Sequence, residues 1–234
     1  MTIETFSVVF PAAGSGTRFG VGDKLLTDLG GRSVLQRSVG IFAQRHDVSQ
    51  IVIATAPDRF ESYRDHLAAT IGDKVLTLVA GGAERWVSVY EGVKAVMSGI
   101  SFVAVHDAAR PLTPQSVIDA AFAAARLYGA AVPCVAEPCT LKRMASDGTV
   151  ATTVDRQGLQ QAQTPQCFKL ALLRGAFEKL LACDSMPVIT DDAQVCELAG
   201  LPVHITTGSS RNLKLTTVEE LPVLRALLAG SVIL

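Results

Sequence analysis

Short apolar runs alternate along the chain with longer stretches whose apolar positions recur every three to four residues. The runs "FSVVF" (6–10), "QIVIAT" (50–55), "VLTLVA" (75–80), "FVAVHD" (102–107), "AAVPCVA" (130–136) and "PVHITT" (202–207) predict strands. Between them "SVLQRSVGIFAQ", "DRFESYRDHLAATI", "ERWVSVYEGVKAVMSG", "PQSVIDAAFAAARLYG", "KLALLRGAFEKLLA" and "DDAQVCELAG" predict helices. Strands and helices in alternation form βαβ units, so the expected fold is α/β with a mostly parallel sheet. Thr113 ahead of Pro114 predicts an N-cap followed by proline at the first helical position, and Gly129 predicts the end of that helix.

One segment departs from the alternation. In "TLKRMASDGTVATTVDR" (140–156), Asp147-Gly148 lies between two alternating runs and predicts a β-hairpin. Its apolar content is thin, and a lone hairpin is marginal in water. It must therefore lean on something else, either the edge of the same sheet or a second subunit.

Composition narrows the function. A chain of 234 residues, 49% hydrophobic and 18% charged, can bury a substantial core, and a single domain over 1–234 is expected. A net charge of -1 provides no overall field for nucleic acid or an anionic membrane, so any anionic ligand must be met by a local cluster. Cys134, Cys139, Cys167, Cys183 and Cys196 form no Cys-x-x-Cys pair, and "MTIETFSVVFP" carries neither a basic leader nor a signal-length apolar run. A reduced, cytoplasmic protein is expected. No stretch approaches the roughly 18 uninterrupted apolar residues of a membrane span.

Candidate chemistry begins directly after the first apolar run, in "FPAAGSGTRFGVGDKLL" (10–26). A strand feeding a glycine-rich turn presents backbone N–H groups to phosphate oxygens, and Gly14 and Gly16 let the backbone come close. The dinucleotide fingerprint fails because Phe19 stands where its third small residue belongs. The ATP-type P-loop fails because no Ser or Thr follows Lys24. A loop bearing Arg18 and Lys24 remains, suited to a polyphosphate. Asp107 lies past the carboxyl end of a very apolar strand, where open α/β sheets bind ligands, with Arg110 close behind. Its carboxylate reads either as a Mg²⁺ ligand or as a turn cap. None of His46, His66, His106 and His204 stands in a nucleophile–base pattern, and His106 reads as a structural imidazole.

Taken together and in order, "PAAGSGTRF…DK", "GGAERWVSV", "VHDAARP", "TVDRQGL", "QTPQCF", "ITDDA" and "NLKLT" resemble the 2-C-methyl-D-erythritol 4-phosphate cytidylyltransferase family, from about residue 6 to residue 221. The resemblance implies a Rossmann-like nucleotidyltransferase fold with helices on both faces of the sheet. It also implies a protruding β-arm, at about residues 137–158, that exchanges contacts in a homodimer. The implied reaction transfers a cytidylyl group from CTP to 2-C-methyl-D-erythritol 4-phosphate and releases pyrophosphate, with Mg²⁺ as cofactor on Asp107. Arg18, Lys24 and Lys214 are the implied catalytic residues. Pro11, Ala12, Ala13, Gly14, Ser15, Gly16, Gly81, Gly82 and Ser88 would surround the nucleotide. Asp107, Arg110, Thr140, Arg156, Thr164 and Thr190 would meet the sugar phosphate, with Thr140 and Arg156 reaching over from the partner's arm.

Two stretches depart from the family pattern. Asp23-Lys24-Leu25 stands where Pro-Lys-Gln is usual, and Arg85-Trp86-Val87-Ser88-Val89 where Arg-Gln-x-Ser-Val is usual. Asp23 beside Lys24 is expected to shield part of its charge. The sister reading is a cytidylyltransferase for another polyol phosphate such as ribitol 5-phosphate; "HDAARP" favours methylerythritol phosphate.

Overall fold

Phe6, Val8 and Phe10 pack on one face of strand β1 (Phe6–Pro11) and Val9 on the other, all fully buried. A strand buried on both faces belongs at the centre of a covered sheet. The computed structural model, which describes residues 4–14, 19–20, 23–183, 185 and 187–230, places it there.

β1 pairs in parallel with β2 (Val48–Thr55) on one side and with β4 (Phe102–Val105) on the other, and β2 pairs in parallel with β3 (Val75–Ala80). Beyond β4 the order continues through β9 (Gln166–Lys169) and β5 (Ala130–Ala136) to β10 (His204–Thr207) at the edge. β9 runs antiparallel to both β4 and β5, and β8 (Gln160–Ala162) runs antiparallel to β5. The predicted parallel sheet is present. β8 and β9 are additions to the sequence-based reading.

Helices cover both faces. The core on one side is built with α1 (Val34–Ala43), α2 (Phe60–Leu67), α4 (Gln115–Tyr128) and α7 (Glu220–Leu228). The core on the other is built with α3 (Arg85–Lys94), α5 (Leu170–Leu181) and α6 (Asp192–Leu198). Ser33 opens α1 in a capping box with Gln36, and Asp191 caps α6 by accepting the Gln194 N–H.

The start of α4 differs from expectation by one residue. Pro114 is itself the extended N-cap, and the helix begins at Gln115. Thr113 does not cap, because its hydroxyl donates to Asn212 Oδ1 at 2.8 Å. Gly129 ends the helix in the left-handed conformation, as predicted.

The hairpin forms as β6 (Leu141–Met144) and β7 (Val150–Val154), a two-stranded sheet of its own, separate from the main one. Met144 and Val150 on it are 76% and 62% exposed. Nothing among the described residues covers these side chains.

Candidate active site

The carboxyl ends of three parallel strands deliver the site. β1 leads into Pro11–Gly14, β3 into Gly81 and Gly82 ahead of α3, and β4 into His106–Arg110. The segment carrying Lys214 is tied to the same edge by the Leu215 N–H, which donates to Ala109 O at 2.8 Å. Pro11, Ala12, Ala13, Gly14, Lys24, Gly82, Ser88, Asp107 and Lys214 line one pocket, together with Arg85.

The small-residue wall of this pocket is rigidly bonded. Ala12 N–H donates to Ala54 O at 2.7 Å, Gly81 N–H to Thr55 O at 2.9 Å, and Gly82 N–H to Ser88 Oγ at 3.1 Å. A Cβ on Gly81 would lie 2.4 Å from Ala13 Cβ, and one on Gly82 would lie 2.2 Å from Val87 Cγ1. Glycine is required at both places because the chains approach so closely. Ser88 therefore shapes the Gly82 turn, and Gly81 stands behind the wall, against Ala13 and Ser88.

At the centre, Asp107 gathers three cations. Lys214 Nζ lies 3.0 Å from Oδ2, Arg110 Nε 3.2 Å from Oδ2, and Arg85 Nε 3.4 Å from Oδ1. Burial works to raise its carboxyl, but the charges of Lys214, Arg85 and Arg110 outweigh that and hold it well below the usual carboxylate range. Arg85 also makes two parallel hydrogen bonds to Asp192, at 2.9 and 2.8 Å, and the Asp192 side chain is fully buried. Gln166 on β9 holds this end of α6: its Oε1 accepts from the N–H groups of Asp192 and Ala193, and its Nε2 donates to Asp191 Oδ2. With Lys24, cations outnumber carboxylates around the pocket, a balance suited to a polyanion.

That balance bears on the expected metal. Mg²⁺ favours hard oxygen ligands, yet both Asp107 oxygens already face cations, and an ion bound there would sit among three positive charges. Among the described residues no group of three or more His, Cys, Asp and Glu side chains is arranged to hold a metal ion. With these three contacts in place the Asp107 oxygens do not fit Mg²⁺ as a ligand pair.

Behind Asp107 lies a buried hydrogen-bond chain. The Asp107 N–H donates to Thr164 Oγ1 at 3.0 Å, and that hydroxyl lies 3.1 Å from His106 Nδ1. The hydroxyl proton therefore points to Nδ1, and the imidazole carries its own proton on Nε2, 3.2 Å from Arg110 O. Complete burial lowers His106 to about 4, so the ring is neutral at ordinary pH. His106 is structural, as read from the sequence. Thr164 is only 4% exposed and orients the Asp107 backbone, where direct contact with substrate was expected.

The family model described as "IspD: 2-C-methyl-D-erythritol 4-phosphate cytidylyltransferase" matches residues 6–229. A 2-C-methyl-D-erythritol 4-phosphate cytidylyltransferase of Rhodopirellula baltica is 39% identical over 234 residues, which span 95% of this chain and 94% of that one. The chain belongs to the 2-C-methyl-D-erythritol 4-phosphate cytidylyltransferase family. A cytidylyltransferase of the same description from Frankia casuarinae is 41% identical over 95% of this chain and 81% of its own. The solved 4-diphosphocytidyl-2C-methyl-D-erythritol synthase of Anaerococcus prevotii superposes with a TM-score of 0.82 at 28% identity, covering 97% of this chain and 99% of that chain.

Within this cytidylyltransferase, the remaining predicted residues fall into three groups. Ser15, Gly16 and Arg18 lie outside the described residues. Arg110 stands beside the pocket, its Nε on Asp107 and its Nη1 donating to Asn212 O at 2.6 Å. Thr140, Arg156 and Thr190 are exposed and do not line this chain's own pocket: Arg156 donates to Pro138 O, and the Thr190 hydroxyl to Gln194 Oε1. Arg85 and Asp192 join the charge network of the site, a pairing that the sequence reading did not single out. Both lie in quoted motifs, but only the fold pairs positions 107 residues apart.

Proposed function

We propose that this pocket carries out cytidylyl transfer from CTP to 2-C-methyl-D-erythritol 4-phosphate by positioning and charge neutralisation, without a general base. The substrate's phosphate oxygen forms a new bond to the α-phosphorus of CTP. The bond from that phosphorus to the bridging oxygen breaks, its electron pair leaves on pyrophosphate, and 4-diphosphocytidyl-2-C-methyl-D-erythritol results. A phosphomonoester has a second pKa of about 6, so the nucleophile is already an anion at neutral pH. The neutral, fully buried His106 accords with this, since it faces Thr164 and Arg110 O within the fold.

The observation that carries the reading is the convergence of Lys214, Arg110 and Arg85 on Asp107 beside Lys24. Preorganised cations of this kind stabilise charge as it moves onto the leaving group. Lys24 and Arg18 take the triphosphate, and Lys214 bridges the α-phosphate and the attacking oxygen. Asp107 holds Lys214, Arg110 and Arg85 in place. The cytosine lies against Pro11–Gly14 and Gly82, where main-chain carbonyls accept from its amino group.

Mg²⁺ is proposed as a companion of the triphosphate, supplying charge neutralisation there, and no protein ligand is assigned to it. The arm is proposed to bring Thr140 and Arg156 to the partner's sugar phosphate in a homodimer, a reading supported by the uncovered Met144 and Val150. A cytoplasmic location is likewise proposed; no described helix is long and apolar enough to cross a membrane.

Pyrophosphate release from CTP, with Mg²⁺ and a panel of polyol phosphates, tests the reading. Turnover with methylerythritol phosphate alone is the expected result. Equal turnover of ribitol 5-phosphate overturns the substrate assignment, and no release with any acceptor overturns the activity.

A further inference from the structure

Asp23 was expected to shield its neighbour Lys24, and the structure assigns its carboxylate elsewhere. Oδ2 accepts from the Tyr63 hydroxyl at 3.0 Å and lies 3.3 Å from Arg59 Nη1, while Oδ1 accepts the Leu25 N–H at 2.9 Å. Both of its oxygens therefore face partners other than Lys24. The main chain here is a tight turn, with Leu26 N–H donating to Asp23 O at 3.1 Å. Leu25 is buried in the core at 4% exposure, and its carbonyl accepts the Leu35 N–H at 2.8 Å. Lys24 thus stands between two fixed neighbours, one latched to α2 and the adjoining 3-10 turn Pro57–Arg59, the other embedded against α1. Its own side chain lines the nucleotide pocket.

We propose that Asp23, Tyr63 and Arg59 form a latch that sets the position of Lys24 against the triphosphate, so that Tyr63 and Arg59 are positioning residues for a reaction they never touch. Proline, usual in the family at position 23, restricts the backbone covalently. In this chain a carboxylate restrains it through three partners instead. Tyr63 suits the task because its ring is fully buried, leaving the hydroxyl one fixed direction. Burial, reinforced by the Asp23 charge, pushes that hydroxyl up to about 12, so it remains a donor at any working pH. Arg59 adds a cation to the same oxygen from outside the core.

The inference rests on the role given to Lys24 above, and a double-mutant cycle separates the two. Tyr63→Phe removes only the hydroxyl and keeps the buried ring. A fall of about ten- to a hundredfold in kcat/KM for CTP is expected, of the size that follows loss of one hydrogen bond to a charged group. In a Lys24→Ala background the same substitution should have no further effect, because a latch with nothing to position has nothing to lose. Asp23→Asn provides a second variant that keeps the Leu25 bond and removes the charge facing Arg59, and the same loss of effect in the Lys24→Ala background is expected. An equal fall in both backgrounds, or none in the wild-type background, overturns the latch. Lys24→Ala with normal turnover overturns the role of Lys24 itself.

Discussion

The guanidinium of Arg85 holds Asp192 through two parallel hydrogen bonds, while its Nε faces Asp107 across 3.4 Å. Two acidic residues from opposite parts of the chain thus share one arginine. The site is a charge network anchored at a buried carboxylate. Removing one partner of a buried pair leaves the other uncompensated, which costs about 3 to 5 kcal/mol. Asp192→Ala should therefore lower the unfolding free energy by about 3 kcal/mol, the lower figure reflecting the partial exposure of Arg85. Equilibrium denaturation checks this, and an unchanged midpoint would show that the pair is marginal.

Lys24 and Lys214 approach the pocket from different segments. If each stabilises charge in the transition state, Lys24→Ala and Lys214→Ala should each lower kcat by about 10² to 10³. Single-turnover measurement of pyrophosphate formation reads this directly. Near-normal rates would remove the lysine in question from the chemistry.

His106 supplies a pH dependence whose sign is fixed. Burial lowers its pKa from 6.5 in the unfolded chain to about 4. Between those values the unfolded state binds a proton that the native state does not, so this stability is fully present above pH 6.5 and is lost as the pH falls toward 4. Asp107, depressed in the fold, contributes stability that is lost only at still lower pH. Urea unfolding at pH 7, 6 and 5 should show stability falling with a limiting slope of about 1.4 kcal/mol per pH unit. His106→Asn retains an acceptor for Thr164 and should flatten that slope. Parallel curves for the two proteins would assign the dependence to another group.

The arm can be tested by mixing. Arg156→Ala and Lys24→Ala homodimers should both be nearly inactive if each site joins a loop from one chain to an arm from the other. After subunit exchange, half the dimers are mixed and carry one intact site each, so recovery should approach about one quarter of wild-type activity. Exchange demonstrated without recovery, or an active monomer, excludes the shared site.

Where apolar pattern and local chemistry agreed, the fold was legible. β3 and β5 have the predicted bounds, Gly129 ends its helix, and the Asp147-Gly148 hairpin stands where it was expected. β9 was not legible because Gln166–Lys169 is four residues between Pro165 and a helix, too short to show an alternation. The pocket wall and the lysines were visible through motif order. Arg85 and Asp192 were not, since their pairing arises only when β9 brings Gln166 to the start of α6. Thr164 and Asp107 were found as residues, but the bonds they make within the fold were not legible, because sequence shows neither burial nor which charges already face a carboxylate. The partners of Asp23 were hidden for a similar reason: Tyr63 and Arg59 stand forty and thirty-six positions away.

The placement of β9 has a bearing on biosynthesis. It fills the slot between β4 and β5, both of which precede it in the chain. Until residues 166–169 leave the ribosome, one side of β4 presents its backbone donors and acceptors to solvent beside four apolar side chains, Phe102 to Val105. Such an edge is a template for pairing with another chain. A nascent chain stalled with β4 emerged and residues 166–169 still to come would therefore expose this edge, and the strand that presents Asp107 for chemistry would be a site of self-association.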